Sequence, residues 1–146
     1  MAYFSASMPA PQPNQDDAAF WQACSERRLC FQACAACGAV RHPPLPVCPR
    51  CQSMETAWRE TAGQGNIYTY TIIHHASHDA VKGKLPYVVA VVEFADVPGV
   101  RLVTNITGIE PSHVLIGMPV AMWWDEIGGG MSLPRFRPVT KSKAGS

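Results

Sequence analysis

The sequence contains few charged residues and almost no net charge. Asp, Glu, Lys and Arg make up 16% of its 146 residues, and 12 basic side chains balance 11 acidic ones to give a formal charge of +1. Proteins that bind nucleic acids without sequence preference gain much of their affinity by neutralising phosphates. Because this chain lacks a basic excess, we expect no nucleic-acid partner.

Long apolar runs are also missing, although apolar residues make up 47% of the chain. No stretch approaches the ~20 apolar residues that a membrane-spanning helix requires. Residues 1–15 lack a basic start followed by an apolar stretch, so they predict no secretory signal. We therefore expect a cytoplasmic protein with no membrane partner. In that reducing compartment the six cysteines favour a metal site over disulfides.

Recognisable catalytic groups are absent too. The sequence contains no legible Ser-His-Asp arrangement and no paired carboxylates in an evident cleft. A thiolase-like nucleophile needs a cysteine near a base, but Cys24 and Cys30 are better interpreted as small buried apolar residues. His75 and His78, in "HHASHDAVKGK", are interpreted as solvated loop residues rather than a second metal site. The chain is not expected to catalyse a reaction alone.

Four cysteines stand out in "CAACGAVRHPPLPVCPRC". Cys34, Cys37, Cys48 and Cys51 form two Cys-x-x-Cys pairs, whose thiolates can reach one tetrahedral metal ion. A catalytic zinc normally keeps one position open for water, whereas four sulfurs close the shell. The spacing therefore predicts a structural zinc, with iron in a rubredoxin-like geometry as the alternative.

The rest of the chain predicts one helix followed by five strands. "DDAAFWQACSERRL" has acidic residues at its start and basic residues at its end, as the helix dipole favours. Strands are predicted in "GNIYTYTIIH", "YVVAVVEFA", "VRLVTNITG", "MPVAMWWDE" and "LPRFRPV", the last as an edge strand because of its prolines. A helical turn between the third and fourth strands is typical of an OB-fold barrel, with a five-stranded sandwich as the competitor.

Several segments together resemble a known family. "FWQACSERRLCFQACAACGAVRHPP", "CPRC", "GQGNIYTYTIIH", "PYVVAVVEF", "IGMPV" and "LPRFRPV" resemble bacterial and archaeal proteins that join a rubredoxin-like zinc ribbon to a C-terminal OB-fold. The resemblance covers about residues 18–139. It implies a mainly β chain with helix and ribbon at 16–60 and an OB-fold at 61–140. The proline-rich start at 1–15 and the polar end at 141–146 are predicted to be flexible tails.

The family is associated with acyl-CoA enzymes, as accessory subunits of thiolases, aldolases or hydratases. The resemblance therefore implies a non-catalytic subunit that binds Zn²⁺, forms a hetero-oligomer with a thiolase-like enzyme and helps to form its acyl-CoA site. A nucleic-acid-binding zinc-ribbon and OB module, or a free-standing acyl-CoA-binding protein, remains the alternative.

Aromatic and basic residues outside the predicted core are candidates for contact with the partner or with CoA. Aromatic side chains can anchor an interface, and basic side chains can meet acidic partner groups or CoA phosphates. The candidates are Phe20, Trp21, Lys82, Lys84, Trp123, Trp124, Arg135, Phe136 and Arg137.

Overall fold

The computed structural model describes residues 2–139, which form a helix, a small ribbon and a barrel. The elements are α1 (Ala18–Ser25), the ribbon strands β1 (Cys30–Cys34), β2 (Val40–Arg41) and β3 (Thr56–Glu60), and the barrel strands β4 (Gln64–Ile73), β5 (Tyr87–Glu93), β6 (Arg101–Ile106), β7 (Pro119–Gly128) and β8 (Met131–Pro138). Two short 3₁₀ turns cover Asp79–Lys84 and Pro111–His113.

Helix α1 is shorter than the segment that the charge pattern predicted. It ends at Ser25, and Arg27 then adopts a left-handed conformation with φ of 59°, which a continuing helix cannot accommodate. Phe20, Ala23 and Cys24 are buried on one face of the helix. The burial of Cys24 was predicted, whereas Phe20 was expected outside the core. Neither α1 nor any other helical segment within residues 2–139 is long and apolar enough to cross a membrane.

The ribbon is a three-stranded antiparallel sheet with β1 in the centre, in the order β2-β1-β3. Strand β1 pairs with β3 along its whole length, from Cys30 opposite Glu60 to Cys34 opposite Thr56. All five residues of β1 are buried, because neighbouring strands flank it and α1 contacts it. Cys34 is the last residue of this central strand.

The barrel is closed, with strand order β4-β5-β6-β8-β7. Its five strands confirm the mainly β OB-fold architecture and exclude the sandwich alternative. One face of each strand fills the interior, where the core includes Ile67, Val88, Ala90, Val92, Leu102, Ile106, Val120 and Phe136. Phe94 extends this core towards Phe31 of the ribbon, with ring centroids 5.4 Å apart. The ribbon and the barrel thus share one continuous apolar core.

The prediction of an edge strand at "LPRFRPV" is wrong. Strand β8 pairs with β7 from Met131 to Pro138 and also meets β6, where Phe136 lies opposite Ile106 in parallel register. Proline is tolerated here because β8 makes only that one bridge to β6, so the N–H groups that proline lacks are hardly needed on the side of β8 that faces β6. The carbonyl of Pro134 accepts a hydrogen bond from Thr104 Oγ1 at 3.0 Å instead.

The start of the chain contacts the barrel. The backbone N–H of Tyr3 lies 3.2 Å from both carboxylate oxygens of Asp125. The ring of Phe4 is buried, and its centroid lies 5.2 Å from that of Tyr87. The contact between the rings of Phe4 and Tyr87 therefore attaches to the barrel part of the segment that the sequence predicted as a flexible tail. The tail predicted at 141–146 lies outside the described residues.

Candidate metal centre and apolar surface

Two similar backbone turns present the four cysteines. The N–H of Gly38 donates to the carbonyl of Cys34, and the N–H of Gln52 donates to that of Cys48, each at 2.9 Å. Gly38 and Gln52 both have positive φ, of 80° and 62°. Glycine adopts this conformation without strain, so the first turn contains the residue it favours and the second does not.

The four sulfurs form a compact cluster. Cys34 Sγ lies 3.5 Å from Cys51 Sγ, and Cys37 Sγ lies 3.7 Å from Cys48 Sγ. All four sulfurs lie within 4.8 Å of one another. Sulfurs at about 2.3 Å from one tetrahedral zinc are separated by about 3.8 Å, so this ligand set fits the ion. Within residues 2–139 it is the one group of three or more potential metal ligands.

Backbone N–H groups favour the thiolate forms of two of these cysteines. The N–H of Cys37 lies 3.4 Å from Cys34 Sγ, and this bond is the main cause that lowers the pKa of the Cys34 thiol to about 6. The N–H groups of Cys51 and Arg50 likewise lower the pKa of Cys48. Because thiolates are the metal-binding form of cysteine, these hydrogen bonds favour metal binding at the first cysteine of each turn.

The loop between β4 and β5 uses its polar residues locally. His78 Nδ1 accepts a hydrogen bond from the N–H of Ala80 at 3.0 Å, which caps the 3₁₀ turn. Lys82 Nζ lies 2.8 Å from a carboxylate oxygen of Asp79, and Lys84 Nζ lies 4.7 Å from the centre of the Tyr3 ring. Both lysines are exposed, so their contact role stays a prediction.

A cavity brings together three of the predicted contact residues. Its volume is about 320 Å³, and it lies between α1, the ribbon and the outside of β6 and β8. Phe20, Trp21 and Arg135 all line it. Phe20 is buried, whereas Trp21 is half-buried and lies beside it, with ring centroids 5.0 Å apart. Trp21 is therefore the better placed of the two aromatic rings to meet another molecule.

Two of the residues predicted in β8 belong to the core rather than to the surface. Phe136 is 0% exposed and lies inside the barrel. Arg135 is 7% exposed, and its Nε donates to Asp125 Oδ2 and its Nη1 to Asn105 Oδ1, each at 2.5 Å. Phe136 therefore offers no surface to a partner, because β8 lies between two strands of a closed barrel. Arg135 is buried but lines the cavity, so its contact role stays a prediction. Arg137 is exposed.

The two tryptophans of β7 are both half-buried. Trp124 packs against the core, and Trp123 Nε1 donates to Thr107 Oγ1 at 2.9 Å. Neighbouring residues of a strand point to opposite sides, which explains why only one of them reaches the core. The structure does not bring these tryptophans to the cavity that Trp21 lines.

An apolar surface that the sequence did not predict lies on the outside of the barrel and is here called the outer valine face. Its residues are Thr69 and Thr71 of β4, Val89 and Val91 of β5, and Val103 of β6. Val91 lies opposite both Thr69 and Val103, and Val89 lies opposite Thr71. Val103 is 67% exposed. The signal was present in "YVVAVVE", which is apolar on both faces although the barrel interior takes only one.

Comparison with known proteins matches both halves of the chain to family models. Residues 21–55 match the ChsH2 rubredoxin-like zinc ribbon domain, and residues 58–125 match the ChsH2 C-terminal OB-fold domain.

Curated relatives include both long and short proteins. A probable enoyl-CoA hydratase alpha subunit from Thermomonospora curvata is 47% identical over 134 residues, and the match covers 92% of this chain but only 41% of that relative. The chain therefore spans about two fifths of its length. A DUF35 domain-containing scaffold protein from Methanocaldococcus jannaschii is 36% identical over 103 residues, which is 68% of this chain and 70% of that protein.

A solved structure described as an Ltp2-ChsH2(DUF35) aldolase contains a similar chain. The two chains are 45% identical, and the TM-score is 0.81. The match covers 90% of this chain and 100% of that one.

Proposed function

The chain belongs to the DUF35 family, whose members join a ChsH2-type zinc ribbon to a ChsH2-type OB-fold. From this premise we propose that it is a non-catalytic, zinc-binding subunit that docks on a thiolase-like enzyme and helps to form its acyl-CoA site. An enzyme partner is suggested by the similar chain in the Ltp2-ChsH2(DUF35) aldolase, and the acyl-CoA ligand by the relative named as an enoyl-CoA hydratase subunit. The thiolase-like class of that partner rests on the family resemblance alone.

The outer valine face is the observation that carries this proposal. Exposed apolar surface is normally scattered, but here Val103 extends a row in which it lies opposite Val91, and Val91 lies opposite Thr69. No charged side chain interrupts this row. Arg101 and Glu93, which pair across its end at 3.8 Å, form a polar border. An apolar centre with a polar rim is the arrangement of protein interfaces.

The cavity beside α1 supports the acyl-CoA part of the proposal. Val103 belongs to the outer valine face and also lines the cavity, together with Leu102, Leu133 and Trp21. A partner that covered the face would therefore also cover the cavity mouth. We propose that this shared space receives an apolar part of the acyl group, since ligand sites are commonly apolar and lie between subunits or domains.

Zinc has a structural role in this proposal. Four thiolates complete its shell, so the ion would supply no open position for substrate. The ribbon β2-β1-β3 is small, and metal binding can supply folding free energy of ~10–16 kcal/mol in comparable peptides. Cys34, Cys37, Cys48 and Cys51 would hold the ion and fix the ribbon against the barrel.

The test is co-expression with a thiolase-like enzyme from the same genome. The pair should elute together on size exclusion, and the enzyme should depend on this chain for full activity in a thioester cleavage or condensation assay. Val103→Glu should weaken the complex at least tenfold, because binding would bury an unpaired carboxylate that costs several kcal/mol.

Val139→Glu is the matched control, since Val139 is also exposed, at 44%, but lies beyond β8 beside Pro119. Both variants should keep one zinc per chain and an unchanged melting temperature. A partner that is fully active and keeps its oligomeric state without this chain would refute the proposal. Equal effects of the two variants would refute the assignment of the face.

A further inference from the structure

Three arginines without ion pairs gather in one cleft. Within residues 2–139, the arginines that form no ion pair are Arg41, Arg50, Arg59 and Arg137. The first three line the same cleft, and Arg137 does not. Three basic side chains therefore share one cleft, and none of them is paired with an acidic side chain in the described part of the chain.

The cleft lies on the seam between the ribbon and the barrel. Its volume is about 500 Å³, and its walls are residues 38–41 at strand β2, Pro49 and Arg50 of the second cysteine turn, Arg59 of β3, and Pro98 and Gly99 of the β5–β6 loop. No aspartate or glutamate lines it. The cleft is therefore positively charged without an internal counterion.

Arg41 is the most informative of the three. Its side chain is buried, with 8% of the residue exposed, and only Nη2 has an acceptor, the carbonyl of Leu45 at 3.0 Å. Nε and Nη1 are buried and have no hydrogen-bond partner within the described residues. Buried donors are nearly always satisfied, so these two donors call for a further acceptor beside Arg41.

We propose that this cleft binds a phosphate group, either as the free anion or as a phosphomonoester. A phosphate offers several acceptor oxygens, and the planar guanidinium fork matches their geometry. Three guanidinium groups from separate segments would surround a single dianion. The site is a property of the isolated chain and does not rest on the proposed subunit role.

Two neighbouring groups offer a different explanation for Arg41 and Arg50. Glu93 lines an adjoining recess with Arg41, but it already pairs with Arg101. The four thiolates also carry negative charge near Arg50, whose backbone N–H lies 3.4 Å from Cys48 Sγ. Arg59 belongs to β3, outside both cysteine turns.

The test is isothermal titration calorimetry on the zinc-loaded full chain with inorganic phosphate, 3′-AMP and adenosine. We expect saturable binding of phosphate and 3′-AMP and none of adenosine. Arg59→Gln should weaken both affinities about tenfold, as expected for one charge-assisted hydrogen bond. Arg137→Gln, which removes an unpaired arginine outside the cleft, should change neither. Tighter binding of 3′-AMP than of phosphate would identify a phosphomonoester as the ligand, and the reverse would identify the free anion.

The proposal is overturned if neither phosphate nor 3′-AMP binds, or if Arg59→Gln and Arg137→Gln weaken binding equally. Zinc content measured on both variants separates a ligand site from support of the metal. A loss of zinc from Arg59→Gln without a loss of phosphate affinity would assign the arginines to the thiolate cluster instead.

Discussion

Replacement of Arg135 by leucine tests whether this residue supports the barrel or serves a ligand. Arg135 and Asp125 form a buried ion pair, with side-chain exposures of 8% and 0%. Arg135→Leu removes the hydrogen bonds to Asp125 and Asn105 and leaves the carboxylate with the N–H of Tyr3 as its remaining donor. Breaking a buried pair from one side typically costs ~3–5 kcal/mol.

That loss is a large fraction of the free energy of unfolding of an ordinary domain, ~5–15 kcal/mol. With a urea dependence of about 2 kcal/mol per molar for a chain of this size, the midpoint of unfolding should fall by roughly 2 M. The assay is urea unfolding of the zinc-loaded protein followed by tryptophan fluorescence, because Trp124 lies next to Asp125 on β7 and opposite Pro134 of β8.

Two further variants serve as controls for the effect of the buried ion pair. Arg137→Leu removes an exposed arginine of the same strand and should change stability by less than about 0.5 kcal/mol. The double variant Asp125→Leu and Arg135→Leu should be more stable than Arg135→Leu alone, because no unpaired charge then stays buried. If Arg135→Leu were as harmless as Arg137→Leu, the buried-pair reasoning would be refuted and Arg135 would be available for a ligand or partner.

Two other predictions concern the metal centre. Cys48→Ser should abolish stoichiometric zinc binding in metal analysis and unfold the ribbon, because metal binding there supplies folding free energy. A variant that retained one zinc per chain would contradict the four-sulfur ligand set. Gln52→Gly should raise the free energy of unfolding of the zinc-loaded protein by roughly 0.5 kcal/mol. The left-handed conformation costs a residue with a side chain more free energy than glycine loses through its greater freedom in the unfolded chain. A lower urea midpoint would contradict this prediction.

The sequence by itself determined the local features of this protein. Cys34, Cys37, Cys48 and Cys51 lie in two short turns, so their spacing alone predicts that their sulfurs can meet. The alternation of apolar residues likewise predicts strands. The resemblance to a known family then selected the barrel over the sandwich, and the closed strand order confirmed it.

Tertiary structure alone decided which side chains are exposed and which of them converge. Phe136 and Arg135 read as surface residues of a proline-containing edge strand, but the closure of the barrel between β6 and β7 buries both. The outer valine face requires the register of three strands, and the arginine cleft requires Arg41, Arg50 and Arg59 to converge from separate segments. Exposure and convergence depend on contacts between residues far apart in the chain, which no local pattern encodes.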